Sequence, residues 1–241
     1  MKLSNVISNS YFSEAVLDIF YPKRCIVCNC FINIGKKVSV CARCKSVLNE
    51  YGKTVRDNEN YFDEAICALP YTDYIKEAMS DFKFRNIRCL DKAFAYAIYN
   101  KVNKREFLKD ISFICPVPLH PKRDRAYNQS CLIAMHLGKY LDIPVSEDVL
   151  IKIRDLTPLS HMGYNMRKFS INSAIEFNHQ YNIEGKNICL VDDIYTTGST
   201  ANECSRILRM CGAGKVYVLS ACYAQDKKEG GNEDADADFI H

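Results

Sequence analysis

The sequence predicts an α/β protein in which helices flank a largely parallel sheet, preceded by a small four-cysteine module. Between residues 61 and 224, short apolar runs alternate with segments of helical periodicity, and two CxxC pairs lie upstream. The chain has 241 residues, 48% of them hydrophobic, which is enough for one large core and an appended module. We therefore predict three segments: an N-terminal helix with a zinc-ribbon module at 1–52, an α/β domain at 61–224 and an acidic disordered tail at 225–241.

The strands are predicted from uninterrupted apolar runs, which are typical of parallel sheets buried on both faces. They are expected at 65–69, 112–117, 149–153, 187–191 and 215–222. Between them, apolar residues recur at helical spacing from Tyr74 to Phe82 and from Leu90 to Val102, and further helices are expected near 128–141 and 199–211. The polar segment 51–60 is predicted to be a linker.

Composition and charge exclude several classes of protein. No uncharged run approaches the roughly 18 apolar residues that cross a membrane, and acidic residues interrupt the helix-like stretch 13–20, unlike a secretory signal. We therefore expect a cytoplasmic protein with no membrane span. The net charge of +3 is too small to indicate nucleic-acid binding by itself. From residue 226 onward, six acidic residues against two lysines leave little to bury.

Four of the thirteen cysteines form a pattern that indicates a metal site. An odd count and no export signal argue against a disulfide framework. Two CxxC pairs separated by twelve residues suit the closed tetrahedral shell of structural zinc, whereas a thioredoxin-like pair would be a single CxxC opening a helix. We interpret the adjacent Cys30 as a bystander or as a thiol behind the metal ligands, and the surrounding basic residues as a solvated rim or as a surface that contacts nucleic acid or a partner. The predicted zinc ligands are Cys25, Cys28, Cys41 and Cys44.

A second pattern begins with two adjacent carboxylates, Asp192 and Asp193, at the end of an apolar strand. A hydroxyl-rich turn and a helix follow, and the amides of a helix N-terminus favour a phosphate. A plain helix cap would explain one threonine but not two adjacent like charges. Two carboxylates can instead accept hydrogen bonds from the vicinal hydroxyls of a ribose. The predicted phosphate cradle consists of Thr196, Thr197, Gly198, Ser199 and Thr200.

This stretch resembles the phosphoribosyl pyrophosphate (PRPP) binding motif of type I phosphoribosyltransferases. The segment from Pro116 to Ser130, which includes Tyr127-Asn128-Gln129, is similar to the signature of the competence protein F (ComF) family, whose members also carry an N-terminal four-cysteine zinc finger. The three motifs occur in the family's order. The resemblance spans residues 20–224 and implies a type I phosphoribosyltransferase-like fold.

The resemblance also implies roles for basic residues. Guanidinium and ammonium groups in the loop after Pro118 suit the pyrophosphate leaving group, although by itself this loop could be merely solvated. Lys83 matches a family position at which a lysine often follows an aromatic residue. The implied catalytic residues are Asp192, Asp193 and Arg125. The implied ligand-binding residues outside the cradle are Lys122, Arg123 and Lys83.

The acceptor substrate is not identified by the sequence. The polar segment 154–169 lies where type I enzymes place a mobile lid, and His161 within it is an acid or base candidate by position, or a solvated loop residue. Oxopurine transferases usually have an acidic residue at the position of Thr196. A 6-oxopurine acceptor is therefore disfavoured.

The resemblance implies an enzyme of the pentosyl-transfer class that binds PRPP with Mg²⁺, releases pyrophosphate and acts in natural competence and DNA uptake. The alternative is a non-catalytic module that senses PRPP or binds single-stranded DNA or protein. The acidic pair and the basic loop favour PRPP binding, because a pure scaffold would need neither, but binding does not by itself imply turnover. The partners implied by the family are a competence helicase-like ATPase and other DNA-processing proteins.

Overall fold

The computed structural model describes residues 24–32, 38–85, 87, 90–119, 127–152 and 175–224. In chain order the elements are α1 Ala42–Val47, β1 Lys53–Val55, β2 Glu64–Pro70, α2 Asp73–Phe84, α3 Leu90–Val102, a 3₁₀ helix Glu106–Asp110, β3 Ile111–Pro116, α4 Gln129–Leu141, β4 Leu150–Lys152, β5 Ile175–Phe177, β6 Asn187–Tyr195, α5 Ser199–Met210 and β7 Val216–Tyr223. The N-terminal stretch 13–20, the segment 154–169 with His161, and the tail 225–241 lie outside the described residues.

Five strands form one sheet in the order β1-β2-β7-β6-β3. The β2–β7, β7–β6 and β6–β3 pairs are parallel, and β1 is antiparallel to β2. Alternate side chains of the strands enter two apolar clusters. Ile66 and Leu219 join the cluster that contains residues of α2, α3 and α4, whereas Cys67 and Val218 join the cluster that contains α5. The predicted largely parallel sheet flanked by helices is confirmed.

Two local predictions are wrong. The strand expected at 149–153 is the short β4, which pairs antiparallel with β5 in a separate two-stranded sheet. Its Ile151 is 43% exposed, so the strand lacks the second buried face that a place in the main sheet would require. The expected linker 51–60 contains β1, whose polar Lys53 and Thr54 are compatible with an edge position that has one neighbouring strand.

The four-cysteine segment packs against α3. Cys25, Cys44 and Leu48 are buried in the same apolar cluster as Phe94. After α1, the backbone carbonyl of Asn49 accepts a hydrogen bond from Lys101 Nζ at 2.6 Å, and its side-chain amide oxygen accepts one from Asn100 at 2.8 Å. This segment therefore shares its buried surface with the α/β body, and the division of the chain at residues 52 and 61 stays a prediction.

The helices of the described residues bear on whether the chain crosses a membrane. None of those in the described ranges is long and apolar enough to span a membrane.

Candidate functional site

Three separate parts of the chain meet at the carboxyl end of β6, where ligands bind in open parallel sheets. They are the end of α2, the start of α4, and the acidic pair Asp192 and Asp193. The strand continues to Tyr195, four residues beyond its predicted end, so the acidic pair belongs to the strand itself. Asp192 lies opposite Ser220 of the neighbouring β7.

Asp192 is a buried carboxyl group, 9% exposed. Its Oδ1 atom accepts a hydrogen bond from the backbone N–H of Asp193 at 2.8 Å and another from Ser130 Oγ at 3.3 Å. Burial, followed by the charge of Asp193, raises the pKa of Asp192 to about 7, although these hydrogen bonds and the charge of Lys83 act in the opposite direction. Near neutral pH this carboxyl group therefore exchanges readily between its two protonation states.

Asp193 forms an ion pair with Lys83, whose Nζ lies 2.6 Å from Oδ2. The side chain of Lys83 is 13% exposed and that of Asp193 is 15% exposed, so water screens the pair poorly. Lys83 belongs to the last turn of α2, where a basic residue also interacts favourably with the helix dipole. Lys83, which was predicted to bind the ligand, thus forms an ion pair with one member of the acidic pair.

The start of α4 is fixed by its cap. The side-chain oxygen of Asn128 accepts hydrogen bonds from the amides of Ser130 and Cys131, and its Nδ2 donates to the carbonyl of Val117 at 2.9 Å. The preceding Tyr127 donates its hydroxyl proton to the carbonyl of Phe82, and the two rings lie 5.6 Å apart. These contacts tie α4 both to the end of β3 and to the end of α2.

Ser130 is a site residue to which the sequence analysis assigned no role. It is 4% exposed and reaches Asp192 across 62 residues of chain. The sequence offers one signal for this role. Ser130 comes two residues after a capping asparagine, at the start of a helix that faces the strand ends.

The predicted phosphate cradle is an exposed turn that leads into α5. Gly198 adopts a positive φ of 79°, and a Cβ atom there would lie 2.6 Å from Cζ of Tyr195, so this position requires glycine. Thr197 Oγ1 accepts a hydrogen bond from the Ser199 amide at 3.4 Å and donates one to Ser199 Oγ at 3.1 Å. The turn therefore presents hydroxyl groups to solvent at the N-terminus of a helix. The exposed hydroxyl residues are Thr196, Thr197, Ser199 and Thr200.

The basic residues Lys122, Arg123 and Arg125 lie outside the described residues. Both flanks of their loop are described. Before the loop, the amide of Val117 donates to the carbonyl of Val191 at 2.8 Å, immediately before the acidic pair. After the loop, Asn128 also bonds to Val117. The described residues on both sides of this loop therefore lie beside β6.

Cys25, Cys28, Cys41 and Cys44 form a cluster in which all four sulfur atoms lie within 4.8 Å of one another. A tetrahedral ion with Zn–S bonds of about 2.3 Å places sulfur atoms about 3.8 Å apart, and the Cys28–Cys41 separation is 3.8 Å. The amides of Cys41 and Cys44 each point at a neighbouring sulfur at 3.4 Å, which favours thiolates. The four residues therefore fit a closed metal site, and Cys30 is not one of the set.

Comparison with known proteins finds relatives that are similar in sequence. No family model matches the chain. It is 27% identical over 220 residues to competence protein F of Haemophilus influenzae, covering 83% of this chain and 96% of that protein. It is 32% identical over 142 residues to competence protein ComFC of Bacillus subtilis, covering 57% and 55% of the two chains. DNA utilization protein YhgH of Escherichia coli K12 is 30% identical over 111 residues, 45% of this chain and 48% of that protein.

Some solved structures are similar to part of the chain. A phosphoribosylpyrophosphate synthetase from Mycobacterium smegmatis is 16% identical with a TM-score of 0.34, covering 56% of this chain and 34% of that one. A hypoxanthine phosphoribosyltransferase from Staphylococcus aureus is 15% identical with a TM-score of 0.35, covering 61% and 70%.

The fold and the cysteine cluster define a class: an α/β protein with a mostly parallel sheet and an N-terminal four-cysteine site suited to a metal ion. Within this class, the similarity to competence protein F extends over nearly the whole of that relative. The chain is therefore a homologue of competence protein F.

Proposed function

We propose that the chain binds PRPP at the carboxyl end of β6 and transfers its phosphoribosyl group to an acceptor, with release of pyrophosphate. The observation that carries the proposal is that an acidic pair, with Asp192 buried and Asp193 partly buried, lies beside an exposed, hydroxyl-rich helix N-terminus. Asp192 and Asp193 would accept hydrogen bonds from the ribose hydroxyls. The amides and hydroxyls of 196–200 would bind the 5′-phosphate.

The remaining charges of PRPP are assigned to the basic loop and to Mg²⁺. Lys122, Arg123 and Arg125 would bind the pyrophosphate, because planar guanidinium groups pair well with phosphate oxygens. Carboxylates together with substrate phosphates are the usual ligands of Mg²⁺, so the donor set of Asp192 and Asp193 fits that ion. Bound Mg²⁺ would supply neutralisation of the pyrophosphate charge.

The chemistry breaks the bond from C1′ of the ribose to the pyrophosphate oxygen and forms a bond from C1′ to the acceptor nucleophile, which loses a proton. Positive charge develops on the ribosyl centre during this exchange. Fixed carboxylates at the ribose stabilise that charge. Holding both reactants in position contributes the rest of the rate acceleration. Thr196 cannot deprotonate a purine ring as a carboxylate would, so we propose an acceptor other than a 6-oxopurine.

The biological setting is proposed from the relatives. Homologues bear the names competence protein and DNA utilization protein, which supports a role in DNA uptake. A helicase-like ATPase and single-stranded DNA are proposed as partners from the family resemblance. We propose that the four cysteines bind Zn²⁺. Because four thiolates complete the tetrahedral shell, the ion would stabilise the fold and take no part in phosphoribosyl transfer.

The test is titration calorimetry of PRPP into the zinc-replete full chain with Mg²⁺ present. The variant is Asp192→Asn with Asp193→Asn. Losing two hydrogen bonds to charged groups, each contributing about 1.5–3 kcal/mol, should weaken binding at least about a hundredfold. A matched control is Glu106→Gln with Asp110→Asn, which neutralises two exposed acidic residues before the amino end of β3, whereas the acidic pair lies at the carboxyl end of the parallel β6.

We expect micromolar binding by wild type and control, and binding at least about a hundredfold weaker by the acidic-pair variant. Pyrophosphate release in the presence of candidate bases and amines then measures turnover. Binding without pyrophosphate release would favour the non-catalytic PRPP-sensing alternative. No binding by wild type would overturn the proposal, and fluorescence anisotropy with labelled single-stranded DNA would then test the DNA-binding alternative.

A further inference from the structure

The ammonium group of Lys83 already occupies one carboxylate of the proposed ribose site. It lies 2.6 Å from Asp193 Oδ2, and both side chains are largely buried. Its charge also acts on Asp192, whose pKa it lowers against the effect of burial. Within the part of the chain that the structure describes, Lys83 is the cation that forms an ion pair with this acidic pair.

The backbone of Lys83 is held in place by the neighbouring residue. Phe82 is fully buried, its ring lies 5.8 Å from that of Phe94, and its carbonyl accepts the hydroxyl proton of Tyr127. The end of α2 is therefore anchored between α3 and the start of α4. Lys83 can release Asp193 only by rotating its flexible side chain, which has four carbon atoms between the backbone and the ammonium group.

A hydroxyl group or a metal ion that binds Oδ2 of Asp193 must displace this ammonium group or share the oxygen with it. Oδ2 is engaged by a donor that carries a full positive charge, and such hydrogen bonds are shorter and stronger than neutral ones. A vicinal diol brings neutral donors only. A divalent cation brings the same sign of charge as Lys83 and is repelled by it. Both ligands must compete with the lysine for the same carboxylate.

We propose that Lys83 is an internal competing cation that regulates access to Asp193. While it is paired, the acidic pair has little affinity for metal ions alone. When the ligand binds, the ammonium exchanges Asp193 for ligand oxygens. The inference rests on the proposed function for the identity of that ligand, but the competition for Asp193 can be measured with a metal ion and no PRPP.

The experiment titrates Mn²⁺ alone into the zinc-replete full chain and measures free Mn²⁺ by electron paramagnetic resonance. A filled four-thiolate shell leaves no position for Mn²⁺, so binding reports on carboxylates. Lys83→Met removes the charge and keeps the length of the side chain, and Lys83→Arg keeps the charge. We expect Lys83→Met to bind one Mn²⁺ at least about tenfold more tightly than wild type, the scale on which removal of a neighbouring like charge acts. Lys83→Arg should match wild type.

A double variant, Lys83→Met with Asp193→Asn, should lose the gain. Circular dichroism verifies folding, and Lys83→Gln replaces Lys83→Met if the latter does not fold. Mn²⁺ binding by Lys83→Met that is no tighter than wild type, or a gain that persists in the double variant, would overturn the inference. PRPP binding by wild type is measured separately. A Mn²⁺ gain without PRPP binding would therefore reject the proposed function alone, and PRPP binding without a Mn²⁺ gain would reject the role of Lys83 alone.

Discussion

Replacing Ser130 with alanine removes the hydroxyl that donates to Asp192 and leaves the rest of α4 unchanged. Both residues are buried, so water cannot readily replace the lost donor. A buried charged acceptor that loses a donor costs about 1–3 kcal/mol. For a chain of this size, each kcal/mol corresponds to about 2–4 °C in the midpoint of thermal unfolding. We expect a loss in this range at pH 8.

The cost should depend on pH, and the sign follows from Asp192. Burial, followed by the charge of Asp193, raises its pKa in the folded protein to about 7 from the ordinary value of 3.8. A raised carboxyl pKa means that the stability it contributes is fully present below the unfolded value and is lost as pH rises through the folded value. Removing the Ser130 donor raises the folded pKa further. The variant should therefore lose more stability relative to wild type at pH 8 than at pH 5.

Urea unfolding monitored by far-ultraviolet circular dichroism at both pH values measures this difference. Ser205→Ala is a matched control, because Ser205 is also fully buried but donates to the carbonyl of Ala201 within a helix, at 2.7 Å. Its cost should be the same at both pH values. An equal loss for Ser130→Ala at pH 5 and pH 8 would refute the coupling between Ser130 and the charge of Asp192.

Two further substitutions test the cradle and the cysteine cluster. Gly198→Ala should weaken PRPP binding and should cost more stability than Gly185→Ala. Both positions have positive φ, which costs a non-glycine residue about 1–2 kcal/mol. Only at Gly198 would the new Cβ also meet the ring of Tyr195. Equal losses in urea unfolding would contradict this account. Cys41→Ser should reduce zinc well below one ion per chain by elemental analysis, whereas Cys30→Ser should retain it. Because the cysteine segment shares an apolar cluster with α3, Cys41→Ser should also destabilise the chain in one thermal transition. Two separate transitions would support an independent module at 1–52.

Local sequence signals predicted the central elements closely. Helix α4 was expected at 128–141 and begins after the Asn128 cap, and α5 was expected at 199–211 and begins after Gly198. The parallel strands were predictable because burial on both faces requires continuous apolar runs. Strand β1 was missed because it has only three residues, two of them polar, and so carries no such run. The end of β6 was missed because its last residues include the two aspartates.

The contacts of the site were less predictable than its residues. Asp192, Asp193 and the hydroxyl-rich turn could be selected because they adjoin in sequence. The Ser130–Asp192 hydrogen bond and the Lys83–Asp193 ion pair join different elements, and periodicity carries information only within one element. The pairing of β4 with β5 likewise depends on where the chain returns after residues 153–174.

The position of β7 in the sheet has a consequence for synthesis on the ribosome. This strand is the last element of the described chain, yet it lies in the centre of the sheet, between β2 and β6. Until residues 216–223 have emerged, β1-β2 and β6-β3 can form only as two separate pairs of strands, each with an unpaired inner edge that invites association with other chains. A nascent chain interrupted before Val216 would hold its cysteine cluster, its acidic pair and every helix of the described residues, and would still be unable to assemble its sheet.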